Sequence, residues 1–362
     1  MSEVLLRGSV VVLMLYDVCE EIRLEELRLL LGVQPAGREP SFKHPAPEYV
    51  RFERPPVVEP IERVALETGE QLEGRVKYYD YGVVCVEFNL LFEGGWDTLV
   101  DVSCRYIAAS EIERRALEIA RERSKRAAPA LIKPYDNWLV EDYYIFRVGE
   151  VAGSTTAGGL CQAYGDRIAQ IVRGERARLA EEERREILQS SMSYYPSDLA
   201  VVGWNAAFLY DTPAGAETTI QLLEYANSQL LEFRYYDEVL TRELRSVYQS
   251  LESGTGFLAR WRLARASARL HTLLLDVTEL TERADNAIKF LSDMFSARLY
   301  RLAASKVGVP DYKQLVQQKL DTAEELYKFM VEQFHQGRAF VLELMVVIIL
   351  IIDLIFLFRG KT

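Results

Sequence analysis

Ala152-Gly153-Ser154-Thr155-Thr156-Ala157-Gly158-Gly159 is the stretch best suited to holding an anion, because small residues ahead of a helix let backbone amides converge on one point. Gly153, Ser154, Thr155, Gly158 and Gly159 form that candidate loop, but no lysine follows them. A connection capped by Thr or Ser is the stronger reading. Cys161 could serve as a nucleophile only beside a histidine, and His44, His271 and His335 are all remote from it in sequence. The same dispersion argues against a histidine-rich metal site. Cys19, Cys85, Cys104 and Cys161 show no C-x-x-C spacing and read as buried thiols of a reducing compartment. No P-loop, dinucleotide fingerprint, H-E-x-x-H or G-x-S-x-G occurs. Tyr194-Tyr195 and Phe233, Tyr235 and Tyr236 read as packing aromatics. The expectation is a protein without catalytic residues, cofactor or metal.

The elements around these residues must therefore carry the functional argument. The chain has 362 residues, 49% hydrophobic and 27% charged, with a formal charge of −11. That composition is globular, and its acidity argues against nucleic acid as a direct partner, since counterion release needs a basic surface. Charge-dense segments 111–126 and 173–186 interleave Arg with Glu and read as solvated helix faces.

Residues 1–212 read as a mixed α/β domain. Strands are expected at Ser9–Tyr16, Glu48–Phe52, Gly74–Tyr79, Gly82–Phe88 and Val140–Val148, each rich in Val, Tyr and Phe, and further at Glu186–Ser193 and Leu199–Leu209. Gly82 closes an expected hairpin turn after Tyr78-Tyr79-Asp80-Tyr81. Helices are expected at Trp96–Ala108, at Ser110–Ala128 behind a Ser110/Glu113 capping box, and over 155–185 with a break near Gly174. The proline-rich segment 35–60 reads as an extended excursion.

Past Pro213 the pattern turns helical. Leu223, Leu230, Asp237, Leu244 and Leu251, with Ala226, Phe233, Leu240 and Val247, make two seven-residue series, the spacing of a coiled-coil seam. Asp237 interrupts the seam, as a register-setting or cation-paired acid. After Ser253-Gly254-Thr255-Gly256 the pattern recurs through Leu263, Leu270, Val277, Ala284 and Leu291, with Ala266, Leu273, Leu280, Ala287 and Met294 beside it, so 213–308 is expected to form an antiparallel helical hairpin. Beyond Gly308-Val309-Pro310 a stalk helix over 309–338 carries the stripe Val316, Leu320, Ala323, Tyr327, Met330 and Phe334.

Residues 339–358 are apolar except for Glu343 and Asp353, with Arg338 before them and Arg359 and Lys361 after. Twenty helical residues rise roughly 30 Å, the thickness of a bilayer core, so the run is expected to be a single transmembrane anchor with 359–362 as a short tail. Glu343 and Asp353 would then either reach an interface or face helices of an oligomer. The expected fold class is α+β: a mixed α/β domain, a coiled-coil hairpin and a C-terminal membrane helix. The expected location is a bacterial inner membrane with most of the chain cytoplasmic.

Lys319-Leu320-Asp321, Ala323 and Glu325-Leu326 resemble the helix before the membrane in the YagE-like family named for "required for meiotic nuclear division". Leu342-Glu343-Leu344 through Asp353 resembles its terminal span, and Tyr81-Gly82-Val83-Val84 one of its strands. Leu344 stands where members commonly have Trp, and Asp353 replaces Glu. The resemblance implies a membrane-anchored, oligomeric protein without settled enzymatic activity.

The leading expectation is thus a non-enzymatic scaffold or tether, with membrane lipid, further copies of itself and an unidentified protein as partners. A transport component of CorA-like layout and a nucleotide or ligand sensor using the Gly153–Gly159 loop are the alternatives. The chain has one candidate span and no Gly-Met-Asn tripeptide, which sets it apart from the CorA pattern.

Overall fold

Val10-Val11-Val12-Leu13-Met14-Leu15-Tyr16 is apolar without alternation, the pattern of a strand covered on both faces. In the computed structural model these residues lie in β1 (Leu6–Ile22), where every position from Ser9 to Cys19 is buried. The structure describes residues 4–32, 55–107, 109–151, 156–252, 265, 268–270, 272–278 and 294–359, with side chains omitted at 250–252, 331–344 and 352–359.

Eight strands form one sheet: β1, β2 (Val57–Ala65), β3 (Gln71–Tyr78), β4 (Val83–Gly94), β5 (Leu131–Val151), β6 (Ser191–Met192), β7 (Leu199–Val202) and β8 (Ala206–Tyr210). Their order is β2-β3-β4-β1-β5-β8-β7-β6. All neighbours are antiparallel except β5 and β8, which run parallel and are joined through helices. The registers Leu15↔Cys85, Lys77↔Cys85 and Arg75↔Glu87 put Leu15, Cys85, Glu87, Lys77 and Arg75 on one face, because side chains alternate along each strand.

The opposite face carries Val10, Val12, Met14, Tyr16, Val84, Val86, Tyr144, Phe146 and Phe208. It packs with α2 (Trp96–Tyr106), α3 (Ser110–Ala127), α4 (Ala157–Arg173) and α5 (Glu181–Gln189), which follow α1 (Leu24–Leu31). Ala116 and Ala120 of α3 are fully buried, small enough to bring the helix close to the strands. Glu59 of β2 ties α3 down further, accepting hydrogen bonds from Arg123 at 2.7 Å and Arg126 at 3.0 Å.

The second face is covered by α6 (Pro213–Glu252). From Ile220 to Phe233 most of this helix is buried, and Gln229 accepts a hydrogen bond from Tyr300 of α7 (Met294–Val307). Gly308, with φ +92°, then separates α7 from α8 (Val309–Arg359).

The chain divides into two compact units: Met1–Tyr235 with Arg283–Tyr312, and Tyr236–Glu282 with Lys313–Thr362. The second has its own small core, where Leu244 and Val247 of α6, Leu270, and Ala323 and Met330 of α8 are buried together. Leu240, Val247, Leu270, Val277, Val316, Leu320, Ala323 and Met330, all on the expected seams, are buried. Met294 departs from its series at 77% exposure, and the Ser253–Gly256 turn lies outside the described residues.

Several sequence expectations need correction. Glu186–Ser193 is mostly the end of α5, with two strand residues after it, because the charged run from Glu181 to Glu186 forms a solvated helix that continues into it. Leu199–Leu209 is two short strands, split at Gly203. Ser110 is the first residue of α3 and makes no cap, Ala109 being the N-cap. Val57–Ala65, treated in part as a proline-rich excursion, is the edge strand β2, where Pro60 is tolerated. Glu48–Phe52 lies outside the described residues.

The largest correction concerns the anchor over 339–358. Among the described residues, no helix is long and apolar enough to cross a membrane. The transmembrane part of the expected fold class, and the single-pass location at a bacterial inner membrane that followed from it, are accordingly set aside.

Gly82 does occupy the expected turn, with φ +93° and its amide donating to Tyr79 O at 3.2 Å. A Cβ added there would lie 1.8 Å from Cys19 O. Gly82→Ala should therefore destabilise the chain by at least about 2 kcal/mol, read as a lower urea midpoint, combining left-handed strain with backbone overlap.

Candidate functional site

Charged residues on a strand face packed beneath a helix are uncommon, since each must lose its water. Arg75 and Lys77 of β3 and Glu87 of β4 share the face beneath α6 through the pleat. Glu217, Glu224, Ser228 and Glu232 follow one side of α6 at spacings of seven, four and four.

The two rows interlock. Arg75 Nε donates to Glu87 Oε1 at 2.8 Å, and its second nitrogen reaches Glu217 Oε1 at 3.2 Å. Lys77 Nζ lies 2.7 Å from Glu87 Oε2 and donates to Glu224 Oε2. The Lys77 side chain is 5% exposed and that of Glu224 is 0% exposed. Farther along, the hydroxyls of Tyr81 and Ser228 are 2.8 Å apart, and the Tyr79 and Tyr81 rings stack at 5.3 Å. Arg234 of α6 pairs with Glu141 of β5, and Tyr235 stacks on Tyr135 at 4.5 Å.

These neighbours decide the protonation states. Burial opposes the Lys77 charge, yet Glu224 and Glu87 outweigh it and hold the ammonium above its usual range. Burial likewise opposes the Glu87 carboxylate, and Lys77 with Arg75 outweighs it in the other direction. Arg75 is held above its usual range by Glu87 despite burial. Both cations of the cluster thus touch two glutamates each.

At the other end of the seam the balance fails. Asp17 of β1 is 1% exposed, and neither carboxylate oxygen has a hydrogen-bond partner among the described residues. Burial pushes its carboxyl well above the usual range. Glu232 is 7% exposed, its Oε1 is likewise unpartnered, and burial followed by the nearness of Asp17 and Asp80 raises it too.

The residues singled out in the sequence are dispersed. Asp237 meets Lys319, whose ammonium also contacts Thr241 Oγ1 at 2.6 Å. This partly buried pair lies in the second unit. Thr156 caps α4 by accepting from Gly159 N at 3.2 Å, and Ala157 N donates to Pro196 O at 2.7 Å, so two amides of the candidate anion loop are already used. Gly158 lies in the first turn of α4, while Gly153, Ser154 and Thr155 are outside the described residues. Arg338, Glu343, Asp353 and Arg359 fall on the α8 backbone without described side chains, and Lys361 lies outside. Asp198 accepts from Tyr194 N at 2.8 Å and Tyr195 N at 2.9 Å, a turn-holding role. Among the described residues no group of three or more His, Cys, Asp or Glu could hold a metal ion.

The seam escaped notice because each of its acids and bases is isolated among apolar neighbours in the chain. One signal was available: Asp17, Lys77, Glu87 and Glu224 all interrupt runs that otherwise read as core.

Chemically, the Arg75–Lys77 cluster orients α6 on the sheet, because its charges are satisfied in one register only. Lys77→Met removes the ammonium touching Glu224 and should cost about 3–5 kcal/mol in urea unfolding, and adding Glu224→Leu should recover most of that loss. The pH dependence follows from the same pairs. Glu87, depressed when folded, contributes stability above about pH 4.3 that is lost as pH falls through its folded value. Lys77, raised when folded, contributes below about pH 10.4 and is lost as pH rises through its folded value. Wild type should therefore exceed the double variant's pH resistance least at the two extremes, measured as the urea midpoint from acid to alkali.

Comparison with known proteins bears on the same region. The uncharacterised protein MJ0711 of Methanocaldococcus jannaschii is 18% identical over 188 residues, 52% of this chain and 58% of that relative. The chain thus spans less than two thirds of that relative's length. No solved structure matches. A family model described as "Uncharacterized protein MJ0711, N-terminal domain" matches residues 7–217, from β1 to the start of α6. That match takes in more than half of the chain, which therefore belongs to the family of the MJ0711 N-terminal domain.

Proposed function

We propose that the protein is a non-enzymatic scaffold that self-associates through α8 and presents its α/β unit to a protein partner. One observation carries this reading. Met345, Val346, Val347, Ile348, Ile349, Leu350 and Ile351 are consecutive on α8, and each is between 46% and 60% exposed. At about 100° per residue, seven positions pass all the way round the helix. A bundle of identical helices buries the same stripe on every member, and a fully apolar segment supplies such a stripe whichever way the helix is turned.

The buried stripe Val316, Leu320, Ala323 and Met330 on the same helix supports the reading. Ala323 and Met330 of that stripe, seven residues apart, lie in the small core of the second unit.

Light scattering on the purified full chain tests the proposal. Wild type should give a mass of two or more chains, and Val346→Glu with Ile349→Glu should return it to one. A monomeric wild type, or an assembly unchanged by the double substitution, would overturn it.

A further inference from the structure

The unpartnered acids at the end of the α6 seam have a consequence separate from the scaffold reading. Asp17 projects from β1 and Glu232 from α6, so any charge that appears on both acts directly between sheet and helix. Both are buried, and three of their four carboxylate oxygens lack a hydrogen-bond partner among the described residues. Among the described residues, no cation is recorded as acting on either acid. Cys19 and Asp80 lie on the sheet side, with Tyr135 of β5 and Tyr81 of the β3–β4 turn. Tyr235 joins them from α6, and Arg234, the nearest cation along the helix, is engaged with Glu141. A second negative charge in this setting has neither water nor a partner to stabilise it.

We infer that the contact between β1 and α6 is a proton-held latch, seated while the Asp17–Glu232 pair keeps its protons and loosened when both acids ionise. In the seated state each acid is neutral, which avoids burying an unpaired charge. Opening the contact lets water reach both groups and releases the protons. The direction of the shifts agrees: burial raises both acids and pushes the nearby Cys19 thiol up to about 12. A group raised in the folded state favours that state most at low pH and loses its advantage as pH rises towards its folded value. The Arg75–Lys77 cluster behaves differently, since its charges are paired and its contribution is flat through neutrality.

Amide hydrogen exchange of the full chain between pH 5 and 8.5 reads the latch. After correction for intrinsic exchange, amides of α6 around Glu232 should open about tenfold more often per pH unit for each proton released. Asp17→Asn keeps the shape of the neutral acid and should flatten that slope, and Glu232→Gln should do the same independently. Amides of α3, on the other face of the sheet, should keep the same slope in all three proteins. Opening of α6 that is independent of pH in wild type, or a slope unchanged in the two variants, would overturn the latch. Neither outcome depends on whether α8 self-associates, so failure here and failure of the scaffold reading are distinguishable.

Discussion

Charged groups sealed between a sheet and a helix dominate this structure. Lys77 and Glu224 have lost nearly all their water, and only their mutual contact, with Glu87 and Arg75 beside them, makes that tolerable. An apolar interface accepts a helix in several registers at similar energy. A row of charges accepts one, because a shift by a single turn would leave both signs buried and unpaired. The position of α6 follows from that demand, and the helix in turn closes the second face of the β1–β4 and β5 region.

Closing both faces explains the composition of β1. With α2–α5 on one side and α6 on the other, a seven-residue apolar run can be buried throughout. It also explains why Asp17 is so exposed to its environment's lack of water: it occupies a strand position with no solvent side. The two ends of the seam therefore differ in kind. One is a cluster of paired opposite charges, and the other is an acid pair that no cation contacts among the described residues.

Much of the architecture was legible from periodicity. The centres of β1, β3, β4 and β5, the helices α2, α3 and α4, the Gly82 turn and the buried stripes of α6 and α8 follow from local pattern. The misreadings have local causes too. Glu186–Ser193 is short enough for helix and strand patterns to overlap, and β2 hides behind Pro55, Pro56 and Pro60, which an edge strand accepts. The apolar run over 339–358 has the composition of a bilayer span, whereas no described helix is long and apolar enough to be one. The candidate site was far less legible. Lys77 and Glu224 are 147 residues apart, Asp17 and Glu232 farther still, and no spacing rule links residues at such separations.

Residue order alone determined where strands and helices form, because side-chain alternation and heptad spacing act over a few positions of backbone. It determined that no familiar catalytic motif is present, and that Met345–Ile351 form an unbroken apolar stretch. Only the tertiary structure decided which charges are buried, which of them meet, and which are left without a partner. Desolvation depends on what covers a residue, and for Asp17, Lys77, Glu224 and Glu232 the covering element comes from the far side of the fold.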